Sequence, residues 1–484
     1  MTTKSGRIGL KAVTSLFASA LFLLIATQIR AQTLPQLDVE DDPAGQYGTY
    51  QPGGATNEAD NAFFQSLGTN GRACVTCHQP AQGFGINVTG IQDTYNSTNP
   101  PGQDPLFAAV DGADCIDQPT SHTMLLNHGL IRIMLPISPK TQSGATPQWT
   151  ISVVSDPTNC QLSNPNVQAQ CATQFGAGFQ CISLYRRPLI STDLTFDDTI
   201  MWDGREPSPA LPSGSLSASL THQAIDATLG HAQATSTPTA TQLSQIVTFE
   251  SGLYTAQMTD NNAGSLNANG ATENPEDLPS LDFFFGINNS SDNPNNPLPP
   301  FDPNVFTFFG AWINLTGTDP VSLAQESIAR GEDIFSNRTF TGNGNNAGFT
   351  TCSGCHNNPS IGNNTNNSVE TPNPGFFVET GVDSTTPAIN ALNISYLPVF
   401  AVTCNSTGVT FKTTDPGVTL ITGKCGPLAA FTIPTLHALS AHLPLFHNGA
   451  ANSMADVVTF YNHRFHMGLS ARDQTDLANF LGTL

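Results

Sequence analysis

Charge is scarce in this sequence: Asp, Glu, Lys and Arg together make 11% of 484 residues, with 16 basic side chains against 37 acidic ones. The formal charge of -21 repels a phosphate backbone and excludes nucleic-acid binding. With so few ion pairs, the surface has to be covered by Asn, Thr, Ser, Gly and Pro, and long loops are expected. Long apolar runs are also missing. The stretch 12–26 reaches 15 residues, short of the 18 or more that a spanning helix wants, and no later stretch reaches that length. What stands at the N-terminus is Lys4, Arg7 and Lys11, then that run, then Ile29-Arg30-Ala31. This reads as a secretory signal over 1–31, cut after Ala31, with an uncleaved anchor as the alternative. The mature chain is expected in the periplasm without a membrane span. Removal of Lys4, Arg7, Lys11 and Arg30 takes the charge from -21 to -25, so a soluble protein partner is expected to be basic.

Cysteine is not scarce. Ten cysteines in an exported chain usually form disulfides, but two groups break that reading. Cys74-Val75-Thr76-Cys77-His78 and Cys352-Ser353-Gly354-Cys355-His356 are both C-x-x-C-H, the attachment sequence of a c-type haem. Two thiols three apart reach the two vinyl groups of one porphyrin, and the adjacent imidazole falls under the iron as proximal ligand. Two covalent haems, held by Cys74, Cys77 and His78 and by Cys352, Cys355 and His356, are therefore expected. The competing reading joins the two C-x-x-C pairs in a zinc site, but a His directly after each pair serves no zinc geometry. Of the remaining six cysteines, Cys404 and Cys425 share one loop-rich stretch and are expected to pair; the connectivity of Cys115, Cys160, Cys171 and Cys181 stays open.

The length suits two to three domains. Residues 61–68 read as a short amphipathic helix leading into the first C-x-x-C-H, and 322–335 places Leu323, Ile328 and Phe335 on one helical face ahead of the second. This approximate duplication predicts two small helical haem domains, at 32–258 and 304–484, joined by the Asn-, Asp-, Gly- and Pro-rich linker 259–303. Two S-x-x-D starts, Ser453 with Asp456 and Ser470 with Asp473, open the last two helices, the second of which presents Leu477, Phe480, Leu481 and Leu484 at helical spacing. Strand signals are sparse. The expected fold class is mainly α with extensive coil, in two cytochrome c-like haem domains.

With these motifs, the chain resembles the bacterial di-haem cytochrome c peroxidase family, which includes MauG. The resemblance rests on the first C-x-x-C-H, Trp202-Asp203-Gly204-Arg205, the second C-x-x-C-H, and Pro434-Thr435-Leu436 followed by Phe446-His447-Asn448-Gly449, in that order. The stretch 111–184 has no counterpart in it. It implies a peroxide site at the first haem, electrons arriving at the second, Trp202 as a stepping stone between them, and Arg205 paired with a haem propionate; a core Trp and a structural ion pair are the plainer alternatives. The family's catalytic Glu stands ten residues after a Gln matched here by Gln223, and this chain has Gln233 there, a carboxamide that cannot transfer the proton. His231, two residues earlier, is the nearest titratable group. It reads as a distal acid/base, as an axial iron ligand, or as a structural His. His222 is a weaker candidate. Fourteen residues after His447 stands Tyr461, the choice of MauG, where the peroxidases have Met; Tyr461 is a candidate distal ligand of the second haem, Met467 the competing thioether, and a core position for Tyr461 the plain alternative. Pro444 matches a position at which relatives hold calcium.

The function so implied is a periplasmic di-haem oxidoreductase that reduces hydrogen peroxide with electrons from a small basic donor protein, a cytochrome c or a cupredoxin. The alternatives are a non-enzymatic electron-transfer cytochrome and a MauG-like oxidation of a protein or organic substrate.

Overall fold

The computed structural model describes residues 1–2, 33–197, 199–206, 216–281, 283, 306–340, 351–362, 377–426 and 428–484. The expected signal segment therefore lies almost entirely outside the described residues. Helices make 33% and strands 17%, the latter in several small sheets, which corrects the expectation of a mainly α fold; no cytochrome c-like haem-domain fold is shown. The strands come from short runs rich in β-branched and aromatic residues, which fit a pleated, half-buried surface. Ile131–Ser138 pairs antiparallel with Gln180–Arg186 inside the stretch that the resemblance leaves without a counterpart. Trp149–Ser155 pairs with Val399–Cys404, which in turn pairs with Thr410–Thr413, so that this insertion is sewn to a segment some 250 positions away. A four-stranded sheet joins Leu37–Asp41, Gly45–Tyr50, Tyr254–Asp260 and Gly264–Ser265. Disulfides link Cys404 to Cys425 as expected, and also Cys115 to Cys160 and Cys171 to Cys181.

The helical segments hold where a cap fixes them. Ser453 accepts from the backbone N–H of Asp456 at the start of Met454–Phe465, and Ser470 and Asp473 form a reciprocal capping box at the start of Ala471–Leu481. Leu477, Phe480, Leu481 and Leu484 are all buried, in one core with Phe308, Phe309, Trp312 and Phe335. The Pro320–Asn337 helix, capped by Asp319, lies close against Ala471–Leu481 because Gly331 leaves room: a Cβ there would stand 2.1 Å from the Asp476 carbonyl oxygen. Ile328 and Phe335 face that core, whereas Leu323 is exposed. The expected helix at 61–68 is only the short 3-10 turn Ala62–Phe64, which buries Phe63 against Phe84 and Phe249 in a second core. Within the expected linker, Leu266 and Ala271 are buried with the Pro320–Asn337 helix. Among the described residues, no helix is long and apolar enough to cross a membrane.

Candidate functional site

Each C-x-x-C-H stretch is wound into a tight turn. At the first, Cys74–Thr76 forms a 3-10 turn and the backbone N–H groups of Cys77 and His78 both donate to the Cys74 carbonyl. At the second, Thr351 caps the turn Cys352–Gly354, and the N–H groups of Cys355 and His356 donate to the Cys352 carbonyl. Such a turn is what brings two thiols and the following imidazole to one side. His78 Nδ1 lies 3.1 Å from the Phe84 carbonyl oxygen and His356 Nδ1 lies 2.6 Å from that of Ile361. A carbonyl only accepts, so Nδ1 carries the proton and Nε2 keeps its lone pair. Burial lowers both imidazoles to about 4, which holds them in the neutral, ligating form.

Both stretches open on one cavity of about 420 Å³. Its wall also carries Trp202, Arg205, Gln223, His231, His437, Tyr461 and Met467. The six cysteines outside the motifs are paired as disulfides, and the four inside take no part in a disulfide. Burial pushes Cys77 up to about 11 and Cys352 and Cys355 up to about 12. The two pairs are not gathered on one centre: among the described residues, the grouping of three or more His, Cys, Asp or Glu ligand atoms is Glu206, His222 and Asp226, which includes no motif residue. The donor set thus fits two separately attached porphyrins facing one apolar space and does not fit a shared zinc site.

The other expected site residues divide. His231 lies just past the helix Leu216–Gly230 and reaches the cavity with Nδ1 hydrogen-bonded to the carboxylate of Asp111, which also pairs with Arg72. Burial alone would raise the Asp111 carboxyl, but Arg72 and His231 outweigh it and hold it below the usual range. Arg72 is fixed in turn on the carbonyls of Pro105 and Leu106, each at 2.7 Å. Gln233 does not join this group. It is exposed, in left-handed backbone with φ 55°, and its side-chain oxygen accepts from Asn70 at 3.3 Å. His222 bonds Glu206 at 2.5 Å.

Trp202 lines the cavity and donates its indole N–H to the Arg187 carbonyl at 2.8 Å, with its ring 6.0 Å from that of His447. Arg205 reaches both oxygens of Asp203 at 3.1 Å; Asp203 and Asp415 also bind the buried Arg186, so Arg205 belongs to a charge network while it faces the cavity. Tyr461 and Met467 both line the cavity beside the second motif. The Tyr461 phenol is held high by burial and by the nearby Cys355 and Cys352, and its ring packs on Phe446, Phe460 and Phe465. Next to Pro444, the His442 carbonyl accepts from Arg187 at 2.6 Å, together with those of Gly129 and Ile86; the cation held there is a guanidinium.

Sequence reasoning missed Asp111, Arg72 and His437. Asp111 lies 120 positions from His231, and no local pattern marks it.

No protein-family profile matches the chain, and no curated protein matches it. Among solved structures, the chain is similar to a MauG-like protein associated with microbial copper homeostasis, at 15% identity and a TM-score of 0.33, over 62% of this chain and 73% of that one.

Proposed function

We propose that this chain is an exported di-haem c-type oxidoreductase that reduces hydrogen peroxide with electrons from a small basic redox protein. The observation that carries the reading is the pair of C-x-x-C-H turns that face one cavity, each with its imidazole Nδ1 engaged by a backbone carbonyl. When bound, the haems supply iron that accepts single electrons from the donor and delivers two of them to the peroxide O–O bond. Peroxide reduction to two waters also consumes two protons, and these are the protein's part. Asp111, kept ionised by Arg72, holds the Nδ1 proton of His231 and so leaves Nε2 as the atom that takes a proton from one peroxide oxygen and returns it to the other. This arrangement stands in for the missing Glu, and it favours the acid/base reading of His231 over a merely structural one. A basic donor suits the strongly acidic chain.

The second reading is an electron carrier in which His231 closes the first site as a ligand; the same Asp111–His231 bond, which would orient a ligating imidazole, supports it. One experiment separates them. Purified holoprotein carries the added mass of two haems, consumes peroxide with a reduced donor, and changes its spectrum rapidly on adding carbon monoxide to the reduced form. A protein with both haems that does neither is the carrier.

A further inference from the structure

Away from His231, a second set of buried ionisable groups reaches the same cavity through one member, His437. His437, in the cavity wall and 1% exposed, has Nδ1 3.2 Å from Asp193 Oδ2 and Nε2 3.6 Å from Glu273 Oε1. Asp193 is fully buried and Glu273 is 1% exposed. Both oxygens of Glu273 and Nε2 of His437 have no hydrogen-bond partner among the described residues. A buried carboxylate with two bare oxygens costs several kcal/mol as an anion, so the site favours an added proton. Among the described residues, the groups that face the cluster are three carboxyls and no basic side chain other than His437. Asp193 comes from the segment that follows Ser191, Glu273 from the coil after Ala271, and Glu332 from the Pro320–Asn337 helix, while Thr255 adds a backbone N–H to Asp193. Glu332 is occupied, since it accepts from the N–H groups of Phe308 and Phe309.

The cluster is tied to both attachment turns. The Phe84 carbonyl that meets His78 Nδ1 also accepts from the Ser191 N–H, two residues before Asp193. On the other side, the N–H of His437 donates to Thr435 Oγ1, which donates to the Ser360 carbonyl, next to the Ile361 that holds His356. Phe335, one turn after Glu332, lies 6.0 Å from His356, ring to ring.

We infer that Asp193, His437 and Glu273 form a proton reservoir for the second redox site: an electron that arrives there draws one proton from solvent onto the Glu273–His437 pair, and the proton leaves when the electron is passed on. The inference rests on the di-haem reading above. The electron comes from the reduced donor, the proton from water, and no bond other than to that proton forms or breaks. Burial pushes the Glu273 carboxyl up to about 8.

The test is a potentiometric titration of the holoprotein between pH 6 and 9. The expected result is a second-haem potential that falls as pH rises, towards ~59 mV for each tenfold change in proton activity where one proton follows one electron, and a flattened slope in Glu273→Gln. In the wild type, a redox-difference infrared spectrum should gain a protonated-carboxyl band on reduction, a measurement that does not depend on the variant folding. A potential independent of pH in wild type, or a slope and a band that Glu273→Gln leaves unchanged, overturns the inference while the two haems remain in place. A purified protein without haem fails the di-haem reading instead.

Discussion

The Asp111→Asn substitution tests the acid/base arrangement most directly. Asparagine keeps the shape of the side chain and removes the charge. Asp111 is 3% exposed and is shared by the guanidinium of Arg72, also 3% exposed, and by Nδ1 of His231. Removing one partner of a buried pair leaves the other uncompensated, which costs about 3–5 kcal/mol. Arg72 retains the Pro105 and Leu106 carbonyls, so the low end is expected. The sign with pH follows. The Asp111 carboxyl is depressed in the fold, so its contribution is present above the ordinary carboxylate range and is lost as pH falls through its lowered value. Urea unfolding should therefore show a wild-type advantage over the variant that is full at pH 7 and shrinks only in strong acid. In the reaction, the amide no longer fixes the proton on Nδ1, and proton transfer by a positioned side chain is worth roughly 10²–10⁴-fold. Peroxide consumption should fall by about 10²-fold or more, with haem content unchanged. Gln233→Ala is the control, since that side chain is exposed and off the cavity. An Asp111→Asn protein that folds, binds both haems and turns over at the wild-type rate refutes the role given to His231.

Glu250 is buried in the cavity wall, with Oε2 unpartnered among the described residues, and burial raises it to about 8. A raised acid stabilises the fold fully below its unfolded value of 4.5 and loses that contribution as pH climbs towards 8, so wild type should weaken across this window and Glu250→Gln should weaken less, as read by denaturant midpoints at pH 5 and pH 8. Phe480→Ala, at 0% exposure in the core behind the second motif, should cost about 3–5 kcal/mol in the same assay. Gly331→Ala should destabilise rather than improve its helix, because the new methyl meets the Asp476 backbone; a gain in melting temperature would show that the two helices can move apart. Ser470→Ala should cost about 1 kcal/mol by loss of the N-cap.

What the sequence determined by itself is local. Two C-x-x-C-H stretches, two S-x-x-D caps and the helical spacing of Leu477, Phe480, Leu481 and Leu484 are encoded within a few residues of each other, and the structure forms each of those turns and helices. The pairing of Cys404 with Cys425 was legible for the same reason. The sheets were not. Their short strands carry signal only when matched to a partner, and Trp149–Ser155 finds its partner at Val399–Cys404, so the helical reading of the fold failed where pairing is remote. The site divides in the same way. Spacing after Gln223 singled out Gln233, but the helix Leu216–Gly230 ends before it and Gln233, itself in left-handed backbone, is exposed, while His231 stands at the wall. Asp111 for His231, and Asp193 with Glu273 for His437, are brought in from more than 100 positions away. A buried charge is tolerable only beside its partner, and which partner that is depends on how distant segments pack.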